Sequence, residues 1–199
     1  DYYAGGHMHI VDDKQIEGYG KIAYPGPLFP NSFAELEKLE RGGFFIVEDN
    51  NVRWEPIQIY NVEKIQIDCN HLTPEEIKNQ IFEKIKNKEF NNTVVLIRLQ
   101  GVLASGKPSD IDFKEIFNAL YEKSAYFAMK SSHALVSKEF EEIKTDARNV
   151  EDIEEFLIKE HLGQIKLENL SPEKEEELIK NLMKVLSTEK QEGETVPDF

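Results

Sequence analysis

Asp1-Tyr2-Tyr3-Ala4-Gly5-Gly6-His7-Met8-His9 opens the chain with an aromatic, apolar run that breaks at two glycines and delivers two histidines. Tyr2 to Ala4 reads as the end of a buried strand. Gly6 reads as the turn at its mouth, because a residue without Cβ bends sharply beside a ligand. His7 and His9 then stand as two metal ligands presented from that turn. In an extended segment, residues two apart point the same way and lie roughly 6.5–7 Å apart. Catalytic metal pairs are spaced about 3.5–4 Å. Two imidazoles so placed each hold one ion of a two-metal centre, or both hold one ion. They do not fill two sites, and the 199 residues contain no Asp-x-His or Gly-Asn-His cluster. A metal centre built on this pair therefore needs most of its ligands from outside the sequence.

Apolar residues make up 40% of the chain, enough for a core. No run of 18 or more apolar residues occurs, which excludes a helical membrane span. The first residues lack the basic-then-apolar pattern of a signal peptide. They also lack an initiator Met and begin inside what reads as a strand, so the chain is expected to be a fragment of a longer protein. Its one cysteine, Cys69, forms no intrachain disulfide. That fits a cytoplasmic protein, with Cys69 as a buried small residue. Net charge is −14, which argues against a surface that coats DNA. The charge is uneven: from Lys138 onward acidic residues outnumber basic ones two to one. Before that point Arg98, Lys107, Lys123 and Lys130 could form a local basic patch, with Lys107 and Lys130 the candidates for touching phosphate.

Residues 1–50 read as closing strands of a β-rich domain. Gln15 to Tyr24 is one strand bent at Gly18 and Gly20. Phe44 to Val47 is a short continuous apolar run, expected as a fully buried strand. Residues 52–136 read as an α/β module in the order ββαβαβ, with a small mixed sheet. Its first strands carry Ile57 and Ile59, then Ile65 and Ile67, at period two. Thr73-Pro74-Glu75-Glu76 starts a helix through a capping box, with Ile77, Ile81, Phe82 and Ile85 on one face. Thr93 to Leu99 is a β-branched strand. Asp112 and Glu115 start a second helix with Phe113, Ile116, Phe117 and Leu120 inward, and Ala125 to Lys130 is a last strand. Gly101-x-x-x-x-Gly106-Lys107-Pro108 has proline where a phosphate loop needs Ser or Thr to reach magnesium, which excludes that motif. Residues 137–149 read as a linker, 150–190 as a pair of amphipathic helices and 191–199 as a disordered tail. Phe156 and Leu157 lie on the apolar side of the first helix. Leu178, Leu182, Met183 and Leu186 form the stripe of the second. Two short helices bury too little to be stable alone, so they fold back or await a partner.

Asp1-Tyr2-Tyr3-Ala4-x-Gly6-His7-x-His9 resembles the last signature motif of the metallophosphoesterases. More narrowly, it is similar to that of the DNA double-strand-break-repair nucleases, the meiotic-recombination-eleven and SbcD family. Tyr24-Pro25-Gly26-Pro27-Leu28, Phe33-Ala34-Glu35 and Gly43-Phe44-Phe45-Ile46-Val47-Glu48 resemble the stretch that follows it. The family usually has Ser where Pro27 stands, and a bulky residue where Gly5 stands. The resemblance implies an α+β architecture: terminal strands of a metallophosphoesterase β-sandwich, a small α/β capping domain and a C-terminal helical hairpin. It implies that His7 and His9 each bind one of two Mn2+ ions in a DNA exo- and endonuclease. The bridging Asp and the catalytic His would lie before Asp1, leaving no catalytic residue in this segment and no activity of its own. It also implies DNA as substrate, homodimerisation through a preceding N-terminal domain, and docking of the helical hairpin on the coiled-coil base of an SMC-like ATPase. Two other functions compete: a metallophosphoesterase for small phosphate esters, and a non-catalytic partner-binding fragment.

Overall fold

The apolar pattern resolves into a mixed α+β fold with three small sheets. The computed structural model describes residues 1–49, 51–141, 157, 158, 162 and 171–187. Phe156, most of the helix expected over 150–162, and the 191–199 tail lie outside the described residues.

The first sheet has the order β1-β3-β2, from β1 (Tyr2–Ala4), β2 (Val11–Ile16) and β3 (Gly20–Pro25). β1 runs parallel to β3, with Tyr2 opposite Lys21 and Ala4 opposite Ala23. β2 and β3 form an antiparallel hairpin, with Val11 opposite Pro25 and Ile16 opposite Gly20. The single bent strand expected over Gln15 to Tyr24 is therefore two strands. The glycines that suggested a bend make the reversal: Gly18 has φ +78° and Gly20 φ +102°, values that L side chains rarely adopt. Asp12 and Asp13 hide β2 from a hydrophobic reading; in the sheet they pair with Lys14 and Lys21. Nor is β1 buried as expected. It sits at the sheet edge, bonded to β3 alone, and Tyr3 is 48% exposed.

Helix α1 (Phe33–Leu39) follows, where no helix was expected. Ser32 caps it, its Oγ accepting the Glu35 N–H at 3.2 Å, and Glu40 ends it in a left-handed conformation at φ +60°. β4 (Gly42–Glu48) and β5 (Asn51–Ile57) then pair as an antiparallel ribbon. A two-stranded ribbon has few neighbours to cover it, so Phe44 and Val47 are exposed, against the expectation of a fully buried strand. The buried part is Gly42 and Gly43. A Cβ on Gly43 would overlap the Trp54 indole, which donates its Nε1–H to the Pro25 carbonyl at 3.2 Å.

β6 (Asn61–Asp68), β7 (Thr93–Val102) and β8 (Phe127–Val136) form the third sheet in that order. Asn61 N–H donates to Asn92 O and Cys69 N–H to Gln100 O. Tyr126 N–H donates to Thr93 O and Leu103 N–H to Val136 O. Partners advance together along both pairs, so the sheet is parallel, not mixed as expected. Helices α2 (Pro74–Ile85) and α3 (Phe113–Glu122) fill the two crossovers, as parallel neighbours require. β5 was expected to join this module but pairs with β4 instead, and Ile59 falls in the turn after β5, 64% exposed. β8 also runs to Val136, beyond the expected end at Lys130. The capping box of α2 forms as read: Glu76 N–H donates to Thr73 Oγ1 at 3.3 Å and Thr73 N–H to Glu76 Oε2 at 2.8 Å. These bonds hold the Glu76 carboxyl below its usual range, the Thr73 backbone contributing most.

The chain divides into two compact units. The first comprises Asp1–Asp68, Lys78–Leu99 and Phe113–Ala134, with Ile65, Ile67, Ile81, Val95, Ile97, Ile116 and Leu120 in its core. The second comprises Cys69–Ile77, Gln100–Asp112 and Leu135–Phe199. There Cys69, Leu103, Pro108, Leu135, Phe140 and Ile158 are buried, and Ser137 Oγ accepts the Phe140 N–H at 3.1 Å. Helix α4 (Pro172–Leu186) belongs to the second unit. No helix among the described residues is long and apolar enough to cross a membrane.

Ile97 has no exposed surface and Ile59 is mostly exposed. Ile97→Ala is expected to cost about 2–5 kcal/mol through lost contacts and a cavity. Ile59→Ala should stay within about 0.5 kcal/mol. Urea unfolding followed by circular dichroism measures both.

Candidate metal-ligand turn and its supports

Beyond β1 the chain does not continue as an extended segment. Met8 N–H donates to Gly6 O at 2.7 Å, closing a three-residue turn on His7, whose φ is +64°. A γ-turn with positive φ is strained. The turn thus centres on His7 and not on Gly6, where it was expected; a Cβ on Gly6 would meet nothing within 4 Å. Strand alternation consequently does not set the spacing of His7 and His9. Gly5 answers a different constraint: a Cβ there would overlap the Tyr24 ring, so the bulky residue usual at that position in the resembling family has no room.

Both histidines are exposed. The His9 side chain is 48% exposed, and its Nδ1 lies 2.5 Å from Glu35 Oε1. Glu35 Oε2 accepts the Asn31 N–H at 3.0 Å. The Asn31 N–H first, and His9 second, hold the Glu35 carboxyl below its usual range. Glu35 was not read from the sequence as a site residue. The signal was present in Ser32-x-x-Glu35, the spacing of a helix start.

The donor chemistry fits a share of a metal site. Metal-binding histidines usually engage a carboxylate through their second ring nitrogen, and His9 Nδ1 faces Glu35 in that way. Two exposed imidazoles suit a transition-metal ion. They do not complete a site: among the described residues no group of three or more His, Cys, Asp and Glu side chains could hold a metal ion.

A second cluster surrounds Arg98, one of the four cations expected to form a basic patch. Its Nε donates to both oxygens of Glu37, at 2.8 and 3.0 Å, and its Nη2 donates to Oε2 at 2.6 Å. Nη1 reaches Ser131 Oγ at 3.3 Å, and the guanidinium lies 4.9 Å above the Phe33 ring centre. Gln66 Nε2 donates to Glu37 Oε1 at 3.2 Å. Arg98 above all holds the Glu37 carboxyl below its usual range. Lys123 Nζ donates to the carbonyls of Lys86 and Lys88, at 3.0 and 3.2 Å. Lys130 Nζ sits 3.9 Å over the Phe113 ring, and burial pushes its ammonium pKa down. Lys107 is exposed, just before the single 3-10 turn Pro108–Asp110. Of the expected partner-binding residues, Leu157, Leu178, Leu182 and Leu186 are exposed and Met183 is half-buried.

Compared with known proteins, the chain matches no family model and no curated sequence.

The Glu37 ion pair sets a pH dependence. Its folded pKa lies below the unfolded value, so the stability it contributes is present above the ordinary glutamate range. That stability is lost as pH falls through the lowered folded value. With both side chains about four-fifths buried, Glu37→Gln should cost about 1–2 kcal/mol at neutral pH. The gap to wild type should shrink below about pH 4, as read from urea midpoints across pH.

Proposed function

We propose that the chain is the C-terminal part of a manganese-dependent DNA nuclease subunit of the double-strand-break-repair metallophosphoesterase family. In this reading residues 1–50 are the closing strands of the catalytic β-sandwich. The α/β module built on β6, β7 and β8 is its cap, and α4 belongs to the helical hairpin that binds an SMC-like ATPase. The observation that carries the reading is the pair of exposed imidazoles soon after an edge strand, the first of them on a strained turn. Backbone strain held at a ligand-bearing residue is a feature of functional sites. A packing role would instead have buried the rings.

When bound, a two-metal centre polarises a phosphodiester, supplies a hydroxide nucleophile and stabilises the leaving oxygen. This chain's part is ligation. His9 offers the ring nitrogen that Glu35 does not engage, and His7 offers its imidazole from the turn. Duplex DNA cleavage by the parent protein should be lost with His7→Ala or His9→Ala, and the chain alone should cleave nothing. Undiminished cleavage by both variants would refute the ligand assignment. Faster turnover of a small phosphodiester than of linear duplex would favour the small-ester enzyme over the nuclease.

A specific observation also supports a partner-binding role. Leu178, Leu182, Val185 and Leu186 recur at helical spacing on α4 and are all exposed. An apolar stripe of this kind suits a partner helix. Leu182→Asp should abolish capture of the coiled-coil base of the parent's ATPase partner while leaving the circular dichroism spectrum unchanged.

A further inference from the structure

We infer that Glu35 is a positioning residue for His9, holding the ring proton on Nδ1 and leaving Nε2 as the lone-pair donor to a divalent transition-metal ion. The inference rests on the metal-ligand reading above and deepens it. An ionised carboxylate only accepts hydrogen bonds. At 2.5 Å from Glu35 Oε1, the His9 Nδ1 must therefore be the protonated nitrogen. In a neutral imidazole the other nitrogen then carries the lone pair.

The carboxylate itself has little freedom. Oε2 accepts the Asn31 backbone N–H at 3.0 Å, and the Glu35 N–H donates to Ser32 Oγ at 3.2 Å. Each oxygen thus has its own partner, one on the backbone and one on His9. The His9 ring is tethered at Nδ1 yet half open to solvent, an arrangement that leaves Nε2 available. Loss of a carboxylate behind a metal-binding histidine typically weakens metal affinity about 10–100-fold.

The test uses the intact 199-residue chain, labelled with 15N and observed through its imidazole side chains at about pH 8.5, above the ordinary imidazole range. Wild-type His9 should show Nδ1 protonated and Nε2 bare. Glu35→Ala should move the ring toward the opposite tautomer. Glu35→Gln, which keeps a carbonyl acceptor, should retain more of the original form and serves as the folded control. Titration of the parent protein with Zn2+ should shift the wild-type Nε2 resonance, with the midpoint raised about tenfold or more in Glu35→Ala. A tautomer indifferent to Glu35→Ala overturns the positioning role. A tautomer that follows Glu35 while Nε2 ignores Zn2+ in the parent protein, where the remaining ligands are present, overturns the metal reading beneath it.

Discussion

Two carboxylates leave helix α1 on opposite sides, and the arrangement of the first unit hangs on them. Glu35 and Glu37 are two positions apart, so about 200° separates them around the helix axis. Glu35 holds His9. Glu37 holds Arg98 of β7 in a forked ion pair, with Gln66 of β6 on the same carboxylate. Phe33, one turn before Glu37, lies beneath the same guanidinium. Lys64 of β6 adds bonds to the Glu37 carbonyl and the Glu40 carboxylate. A seven-residue helix is not stable by itself in water, so these contacts and the Ser32 cap hold α1 in place. The histidine turn and the parallel sheet are thereby tied to the same short helix.

That tie explains which parts of the fold were legible in the sequence. Helix α2 was, because Thr73, Pro74 and Glu76 state its start locally and Ile77, Ile81 and Ile85 state its buried face. The interior strand β7 was, because a parallel strand covered on both faces reads as a continuous run such as Val94-Val95-Leu96-Ile97. Helix α1 was not: its residues are partly exposed, it is short, and its anchors lie on β6 and β7 far along the chain. The partner of β5 was equally hidden. Ile57 alternates with polar neighbours whether the strand pairs with β4 or β6, and the tight Gly43–Trp54 approach that accompanies the β4 pairing has no local signal.

The candidate site divides in the same way. His7 and His9 are visible as a motif, but the conformation that presents them is not. Alternation predicts an extended pair; the structure has His7 at φ +64° at the centre of a three-residue turn. Glu35 is 26 residues from His9, and nothing local links the two. The capping spacing from Ser32 marks Glu35 as a helix-start residue, while its bond to His9 exists only once β1 and α1 have been brought together.

The charge distribution completes the reading of how such a chain would take part in DNA cleavage. Of the four cations expected to form a basic patch, Arg98 is bound to Glu37, Lys123 to backbone carbonyls and Lys130 to an aromatic ring. The net charge of −14 is thus not offset by an array of outward-facing cations at these positions. Affinity for DNA scales with the number of phosphates neutralised, and this arrangement neutralises few. Under the proposed function, residues 1–141 then act on DNA by placing ligands at the reacting phosphate. Under the same reading, steering of the duplex falls to surfaces of the parent protein outside these residues.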